Sequence, residues 1–188
     1  LLLRIYCSKG LQAIFNHAEK HYQNMAKNPL LRDYCFIQRS AYISVIDPVI
    51  SFLQGKKRPD SSWIKTLPKG HFLNEEIQTE GMDEEMAAKH RCTLLLEDLC
   101  VFIQKYIDPD FGFSKYAEQL GRSAYTFDAY VQALDKEPTL LETWMLELLE
   151  QAVKEHQPHF IRFTLPFPGN VMSALRCAKY IKKTHPDI

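Results

Sequence analysis

The chain has 188 residues, of which 46% are hydrophobic and 24% are charged. This composition is typical of a folded domain of ordinary size, and it excludes the disordered, collagen-like and coiled-coil classes. The 23 basic and 23 acidic residues cancel, so no global basic field favours nucleic acid. No stretch approaches the roughly 20 apolar residues that span a bilayer. We therefore expect neither a nucleic-acid partner nor a membrane partner.

The zero net charge conceals an uneven distribution along the chain. Residues 1–70 carry 11 basic and 4 acidic side chains, residues 71–151 carry 6 and 17, and residues 152–188 carry 6 and 2. Opposite charges attract most strongly when they pack together. The simplest interpretation is that the acidic middle packs on its two basic flanks.

The cysteines are odd in number, widely spaced and free of any CxxC pair. This pattern indicates buried thiols in a reducing compartment, and hence a cytoplasmic protein. It argues against a disulfide scaffold, and against a thiolate zinc site or an iron–sulfur site held by this chain alone. The cysteines are Cys7, Cys35, Cys92, Cys100 and Cys177.

Helical periodicity dominates the first part of the chain. An apolar stripe at helical spacing follows Gly10, and a second helix is predicted over residues 32–46. Asp47 is a good N-cap and Pro48 a good first-turn residue, so they predict the start of a further short helix. Residues 55–81 are rich in glycine, proline and charge, which predicts a long surface loop.

Helical patterns also fill the middle of the chain. A helix is predicted over residues 82–107, and two short helices are predicted within residues 111–134. The clearest helix is predicted over residues 139–156. It opens with Thr139 and Glu142, a capping box in which the hydroxyl and the carboxylate satisfy each other's backbone amides.

The pattern changes near the end of the chain. Residues 160–165 are aromatic and β-prone, which predicts a strand, and a turn and a helix follow. The fold class predicted is therefore mainly α with a partial α/β unit, Rossmann-like and doubly wound, at the C-terminal end. We expect residues 1–157 to be a helical elaboration and residues 158–188 a strand–turn–helix.

A lone strand cannot satisfy its own backbone groups, so the predicted sheet is incomplete. The chain begins without methionine and ends at His185-Pro186-Asp187-Ile188, which reads as a turn leading into another strand. We therefore expect the chain to be a fragment, whose sheet is completed by missing sequence or by another chain.

The turn after the predicted strand is the most site-like feature. In α/β sheets, ligands bind at the carboxyl ends of the strands. Asn170 is a natural N-cap, and the free amides of the helix behind it can bind an anion or a phosphate. The alternative is a rigid turn, stiffened by two prolines and with Gly169 supplying an unusual dihedral. The residues alone leave both interpretations open.

Histidines provide the other candidate site. His17 and His21 lie four residues apart on a predicted helix, a spacing that can hold a metal and would suit a metal hydrolase. The glutamate between them is out of place for HExxH, so exposed histidines are the favoured interpretation. His90 and Cys92 would point to different faces of a helix. We predict no metal site in this chain and no catalytic residues.

Two stretches together resemble a known family. They are residues 108–123, DPDFGFSKYAEQLGRS, and residues 163–170, FTLPFPGN, with Ala174-Leu175-Arg176 after them. Both are similar to the N-terminal region of radical S-adenosylmethionine proteins that carry a cobalamin-binding-like domain before the catalytic barrel. The resemblance implies a Rossmann-like strand ending in PFPGN. It also implies a cofactor-binding turn, onto which Thr164, Pro166, Phe167, Gly169 and Asn170 map.

The resemblance implies cofactors that belong to a parent protein. These are a 4Fe-4S cluster and S-adenosyl-L-methionine, with cobalamin as a further candidate, and the substrate would be a small molecule or a peptide. The cluster motif CxxxCxxC and the cobalt-ligating motif DxHxxG are both absent from this sequence. The resemblance therefore implies a non-catalytic accessory domain that covers the catalytic barrel, with the missing C-terminal catalytic domain as its partner. The alternative is a helical protein-interaction module with no enzymatic role.

Overall fold

The computed structural model describes residues 1–56, 61–64, 66–73, 81–112, 127–165 and 170–188. Within these ranges all regular structure is helical, and no strand is present. The helices are α1 (Leu2–Ile5), α2 (Ser8–Tyr22), the 3-10 helix η1 (Pro29–Arg32), α3 (Tyr34–Ile37), α4 (Arg39–Leu53), α5 (Ser61–Ile64), α6 (Glu84–Tyr106), α7 (Asp128–Asp135), α8 (Leu140–His156) and α9 (Asn170–Thr184).

The predicted strand at residues 160–165 is wrong. These residues lie outside any regular element, and Phe160 is 78% exposed. A β-prone sequence forms a strand only where a neighbouring strand pairs with its backbone, and the described part of the chain offers none. The partial α/β, Rossmann-like unit of the predicted fold class is therefore also wrong for this chain, whose described part is helical.

One predicted helix start is also wrong. Pro48 lies inside α4 rather than at the start of a new helix. The Asp47 carboxylate does not cap that proline, because it accepts a hydrogen bond from the backbone N–H of Ser8, the first residue of α2, at 3.0 Å. Helix α4 therefore continues through Asp47 and Pro48, where a break between two helices was predicted.

The chain divides into two compact units, Leu2–Ile107 and Asp108–Ile188. The first unit has a large apolar core, drawn mainly from α2, α4 and α6. Its fully buried side chains include Leu11, Ile14, Phe15, Leu30, Tyr42, Ile46, Val49, Leu95, Leu99, Phe102 and Ile103. Rings of Phe15 and Phe102 pack with their centroids 4.9 Å apart.

The predicted long loop is partly ordered against this core. Within it α5 forms a short helix, and Leu67 and Leu73 are buried. The Asp98 carboxylate of α6 accepts hydrogen bonds from the N–H groups of Phe72 and Leu73, at 2.8 and 3.2 Å. One buried acid thus anchors the part of the loop at Phe72 and Leu73.

The second unit has a thinner core in its described part. It contains α7, α8 and α9, and none of the α7 residues whose side chains are described is buried. Its buried apolar side chains are Phe111, Leu141, Trp144, Val153, Met172, Cys177 and Ile181. The two stretches that carry the family resemblance, residues 108–123 and 163–170, both fall within the Asp108–Ile188 unit.

None of the described helices combines the length and the apolar character needed to cross a membrane.

Candidate functional site

The structure describes two of the five residues that were predicted to form the cofactor-binding turn. Thr164 is exposed, and Asn170 is the first residue of α9, also exposed. Pro166, Phe167 and Gly169 lie outside the described residues. The assignment of these five residues to a cofactor site stays a prediction.

An exposed apolar segment precedes this turn. Phe160, Phe163 and Leu165 are 78%, 37% and 48% exposed, and we call these three residues the apolar segment. The chain enters it from α8 through Gln157, whose φ of 42° places it in the left-handed region and ends the helix. Large apolar side chains clustered on a surface mark sites of protein interaction more often than isolated ones do.

The surroundings of the apolar segment are basic. Arg162 lies within it and is exposed, and His156 and His159 precede it. No acidic residue occurs between Glu155 and Asp187 in the sequence. A partner that covers this segment would gain from carboxylates at its rim.

A buried polar network lies in the same unit and links α8 to α9. The Thr139 hydroxyl donates to Oδ2 of Asp108 at 2.9 Å, and the Thr139 N–H donates to Oε2 of Glu142 at 3.0 Å. Arg176 of α9 donates through Nε to Oε1 of Glu142 at 3.1 Å. Burial is the main cause that raises the pKa of Asp108, and the nearby Glu142 carboxylate raises it further.

Arg176 also holds α7. Its guanidinium is 7% exposed and donates to the backbone carbonyls of Ala133, Leu134 and Lys136, at distances of 2.9 to 3.0 Å. These carbonyls lie at the C-terminal end of α7, where a helix leaves its last carbonyls without intrahelical partners. The Ala133 carbonyl also accepts from the Lys136 N–H, and the Leu134 carbonyl also accepts from the Lys179 ammonium. A cation at this end of a helix is also favoured by the helix dipole.

A small cavity of about 160 Å³ borders this network and is lined by Asp108, Thr139, Glu142, Met172 and Arg176 among others. The carboxylates of Asp108 and Glu142 each accept hydrogen bonds at both oxygens. Because these groups satisfy one another, the arrangement can fix three helices together.

The side chains present do not fit an iron–sulfur cluster. Among the described residues, no three or more histidine, cysteine, aspartate or glutamate side chains come together as a metal site. Burial raises the pKa of Cys35 and Cys92 to about 12 and that of Cys177 to about 11, as expected for thiols packed among apolar side chains.

The predicted histidine pair lies on α2. Burial lowers the pKa of His17, and the nearby His21 and Lys20 lower it further. No third ligand joins the pair among the residues that the structure describes.

Sequence reasoning found the capping box but not the role of Arg176. The signal was present, since this arginine falls in the apolar face of an amphipathic helix, next to Cys177 and near Met172. A charge at such a position needs a partner, because an unpaired buried charge is costly.

Comparison with known proteins gives no match to a family model, to a curated protein or to a solved structure. The function is therefore inferred from the residues of the chain itself.

Proposed function

We propose that this chain is a non-catalytic accessory part of a radical S-adenosylmethionine iron–sulfur protein, and that it docks on the catalytic part through the apolar segment. The observation that carries the proposal is the exposure of Phe160, Phe163 and Leu165 within six residues. Each side chain of this size gains roughly 1.5–3 kcal/mol when it is moved from water to a fully apolar contact.

The same stretch supports the family part of the proposal. Residues 163–170 overlap the apolar segment and are one of the two stretches that carry the family resemblance. In this proposal, the cluster and S-adenosyl-L-methionine are bound by the catalytic part, because the cysteines of this chain do not fit a cluster. Cobalamin or substrate would be held near Thr164 and Asn170.

A second candidate is a helical interaction module without an enzymatic parent. The helical character of the described part is compatible with it, since a helical fold by itself implies no catalytic activity. Both candidates use the apolar segment. They differ in whether the reading frame that encodes this chain also encodes an iron-binding domain.

The first experiment uses the complete product of the native reading frame, expressed without oxygen, beside the 188-residue chain. The complete product should bind about four irons with matching sulfide, and the chain alone should bind none. If the complete product bound no iron after treatment with iron and sulfide, the radical-enzyme proposal would be overturned and the interaction module would remain.

The second experiment tests the docking surface in that complete product. Replacing both Phe160 and Phe163 by serine should expose the junction between the chain and the remainder, detected as faster limited proteolysis and faster amide exchange there. Phe127→Ser is the control, because Phe127 is 60% exposed and lies outside the apolar segment. Equal behaviour of the double variant and the control would rule out docking through this segment.

A further inference from the structure

A second cavity lies wholly within the Asp108–Ile188 unit, between the end of α7 and the C-terminal half of α9. Its volume is about 240 Å³. The charged side chains that line it are four cations and two acids, namely Lys136, Arg176, Lys179, Lys183, Asp135 and Glu137. The three cations on α9 are spaced by three and four positions, which places them on one side of that helix. We call this cavity the basic cavity.

Two of the four cations are held in place. The Lys179 ammonium donates to Oδ1 of Asp135 at 2.9 Å and to the Leu134 carbonyl at 3.0 Å. Arg176 is tied to Glu142 and to the end of α7, as described above. Both cations also offset the negative end of the α7 dipole. The basic cavity therefore has a preorganised base.

The basic cavity also has donors that no described residue accepts from. A guanidinium can donate once through Nε and twice through each of Nη1 and Nη2. In Arg176, which is 7% exposed, Nη1 makes two hydrogen bonds, whereas Nη2 makes one, to Ala133. One N–H of this buried cation thus has no acceptor among the described residues, and such a donor favours a polar ligand.

The other two cations are exposed and available. Among the residues that the structure describes, neither the Lys136 nor the Lys183 ammonium has a hydrogen-bond or ion-pair partner. Asp135 is already paired with Lys179, which leaves Glu137 as the acid that opposes an anion in this cavity. The four cations outnumber the two acids of the lining, so the charge of the cavity is positive.

We propose that the basic cavity binds a phosphate dianion, either free or as the phosphoryl group of a small molecule. Phosphate oxygens can accept from both lysines and from the remaining arginine N–H, and two ammoniums attract a dianion more strongly than one carboxylate repels it. The cavity contains no residue of the apolar segment, so this proposal is independent of the proposed function.

Binding should also stabilise α7. Lys136 directly follows this helix and Lys183 belongs to α9, so a bound anion would link the two. If the anion is released whenever α7 opens, exchange of the α7 amides slows by one plus the ratio of ligand concentration to dissociation constant. At ten times the dissociation constant, these amides should therefore exchange about tenfold more slowly.

The test is isothermal titration calorimetry of the 188-residue chain with inorganic phosphate at about pH 8, where phosphate is mostly a dianion. Sodium chloride keeps the ionic strength constant, because screening would otherwise change during the titration. We expect a dissociation constant on the order of 1 mM and slower exchange in α7. Glycerol 3-phosphate is the second probe, and tighter binding of it would identify a phosphorylated small molecule rather than the free ion.

Two lysine variants locate the site. Lys136→Gln and Lys183→Gln should each raise the dissociation constant about fivefold, because each removes one contact with the dianion. Lys9→Gln is the control, since Lys9 is exposed on α2, does not line the cavity and carries the same charge. Circular dichroism confirms that each variant is folded. No binding up to about 20 mM phosphate, or equal weakening by Lys9→Gln, would reject the site.

Discussion

Gly70 lies against the buried acid that anchors the long loop. A Cβ added there would overlap the Asp98 carboxylate and would come 2.7 Å from the Tyr42 hydroxyl. The same carboxylate receives the N–H groups of Phe72 and Leu73. Glycine is therefore needed at this position because of close approach, and no local pattern distinguishes Gly70 from the other glycines of the loop.

We predict that Gly70→Ala lowers the free energy of unfolding by about 2–3 kcal/mol, because the methyl group either strains the loop or breaks its bonds to Asp98. Urea denaturation followed by circular dichroism measures the loss. Gly81→Ala is the matched control. It has a φ of +79° but nothing within 4 Å, so it should cost only about 1 kcal/mol of backbone strain. A loss of stability no larger than that of the control would show that the loop accommodates the added methyl group without strain.

Asp108 gives a prediction about pH. Its pKa is raised in the folded chain, first by burial, so the folded state holds this proton at a pH where the unfolded state has released it. The contribution of Asp108 to stability is therefore full below the ordinary carboxyl pKa of 3.8 and is lost as pH rises through the higher folded value.

The comparison that isolates this contribution is wild type against Asp108→Asn. As pH rises through that window, the stability of the wild type should fall relative to the variant, because the amide does not ionise. Urea midpoints measured from about pH 3 to pH 7 give the difference, in which other carboxylates largely cancel. A constant difference across the range would show that burial of Asp108 does not disfavour its charge.

At the scale of single elements, α8 is specified most strongly by its own first turn. The Thr139 hydroxyl accepts from the Glu142 N–H at 3.2 Å and donates to Asp108 at 2.9 Å, so one side chain caps the helix and ties it to the preceding turn. We predict that Thr139→Ala lowers the free energy of unfolding by about 1–2 kcal/mol.

The control for this cap is Thr143→Ala, which removes an exposed hydroxyl that donates to the Thr139 carbonyl within the helix. Alanine is a better helix former, so this change should be neutral or slightly stabilising. Thermal unfolding of both variants makes the comparison. The cap would be unimportant if both threonines behaved alike.

Helices were predictable where local signals agree. The capping box and the apolar period at 139–156 led to a helix observed at Leu140–His156. The strand at 160–165 was mispredicted because β-propensity describes side chains and takes no account of a pairing partner. Pro48 misled for a related reason, since the acid that should have capped it binds Ser8, 39 residues away in the sequence.

At the scale of the whole chain, the two units differ in how much they bury. The Leu2–Ile107 unit has a core of fully buried aromatic and aliphatic side chains, whereas the described helices of the Asp108–Ile188 unit bury fewer. Since burial of apolar surface is the main source of stability, the second unit should open first.

Native-state hydrogen exchange tests this expectation. Amides of α2, α4 and α6 should exchange at least about 100-fold more slowly than those of α7 and α8, which corresponds to a gap of roughly 3 kcal/mol in opening free energy. Exchange at one common rate in both units would instead indicate a single cooperative structure.

Sequence reasoning went less far for the candidate site than for the helices. The composition of residues 160–165 predicted a strand, and only the structure shows that Phe160 and Leu165 are exposed. The network of Asp108, Thr139 and Arg176 joins residues up to 68 positions apart. Such pairings leave no periodic trace in a sequence, because each depends on how separate helices pack.

The grip of Arg176 on α7 has a consequence for the order of events during synthesis. None of its described side chains is buried, and the arginine that binds its last carbonyls lies as many as 43 positions later in the chain. An eight-residue helix is marginal in water without such help. On a ribosome, α7 should therefore remain unformed until α9 has left the exit tunnel, so the completed end of the unit organises its beginning.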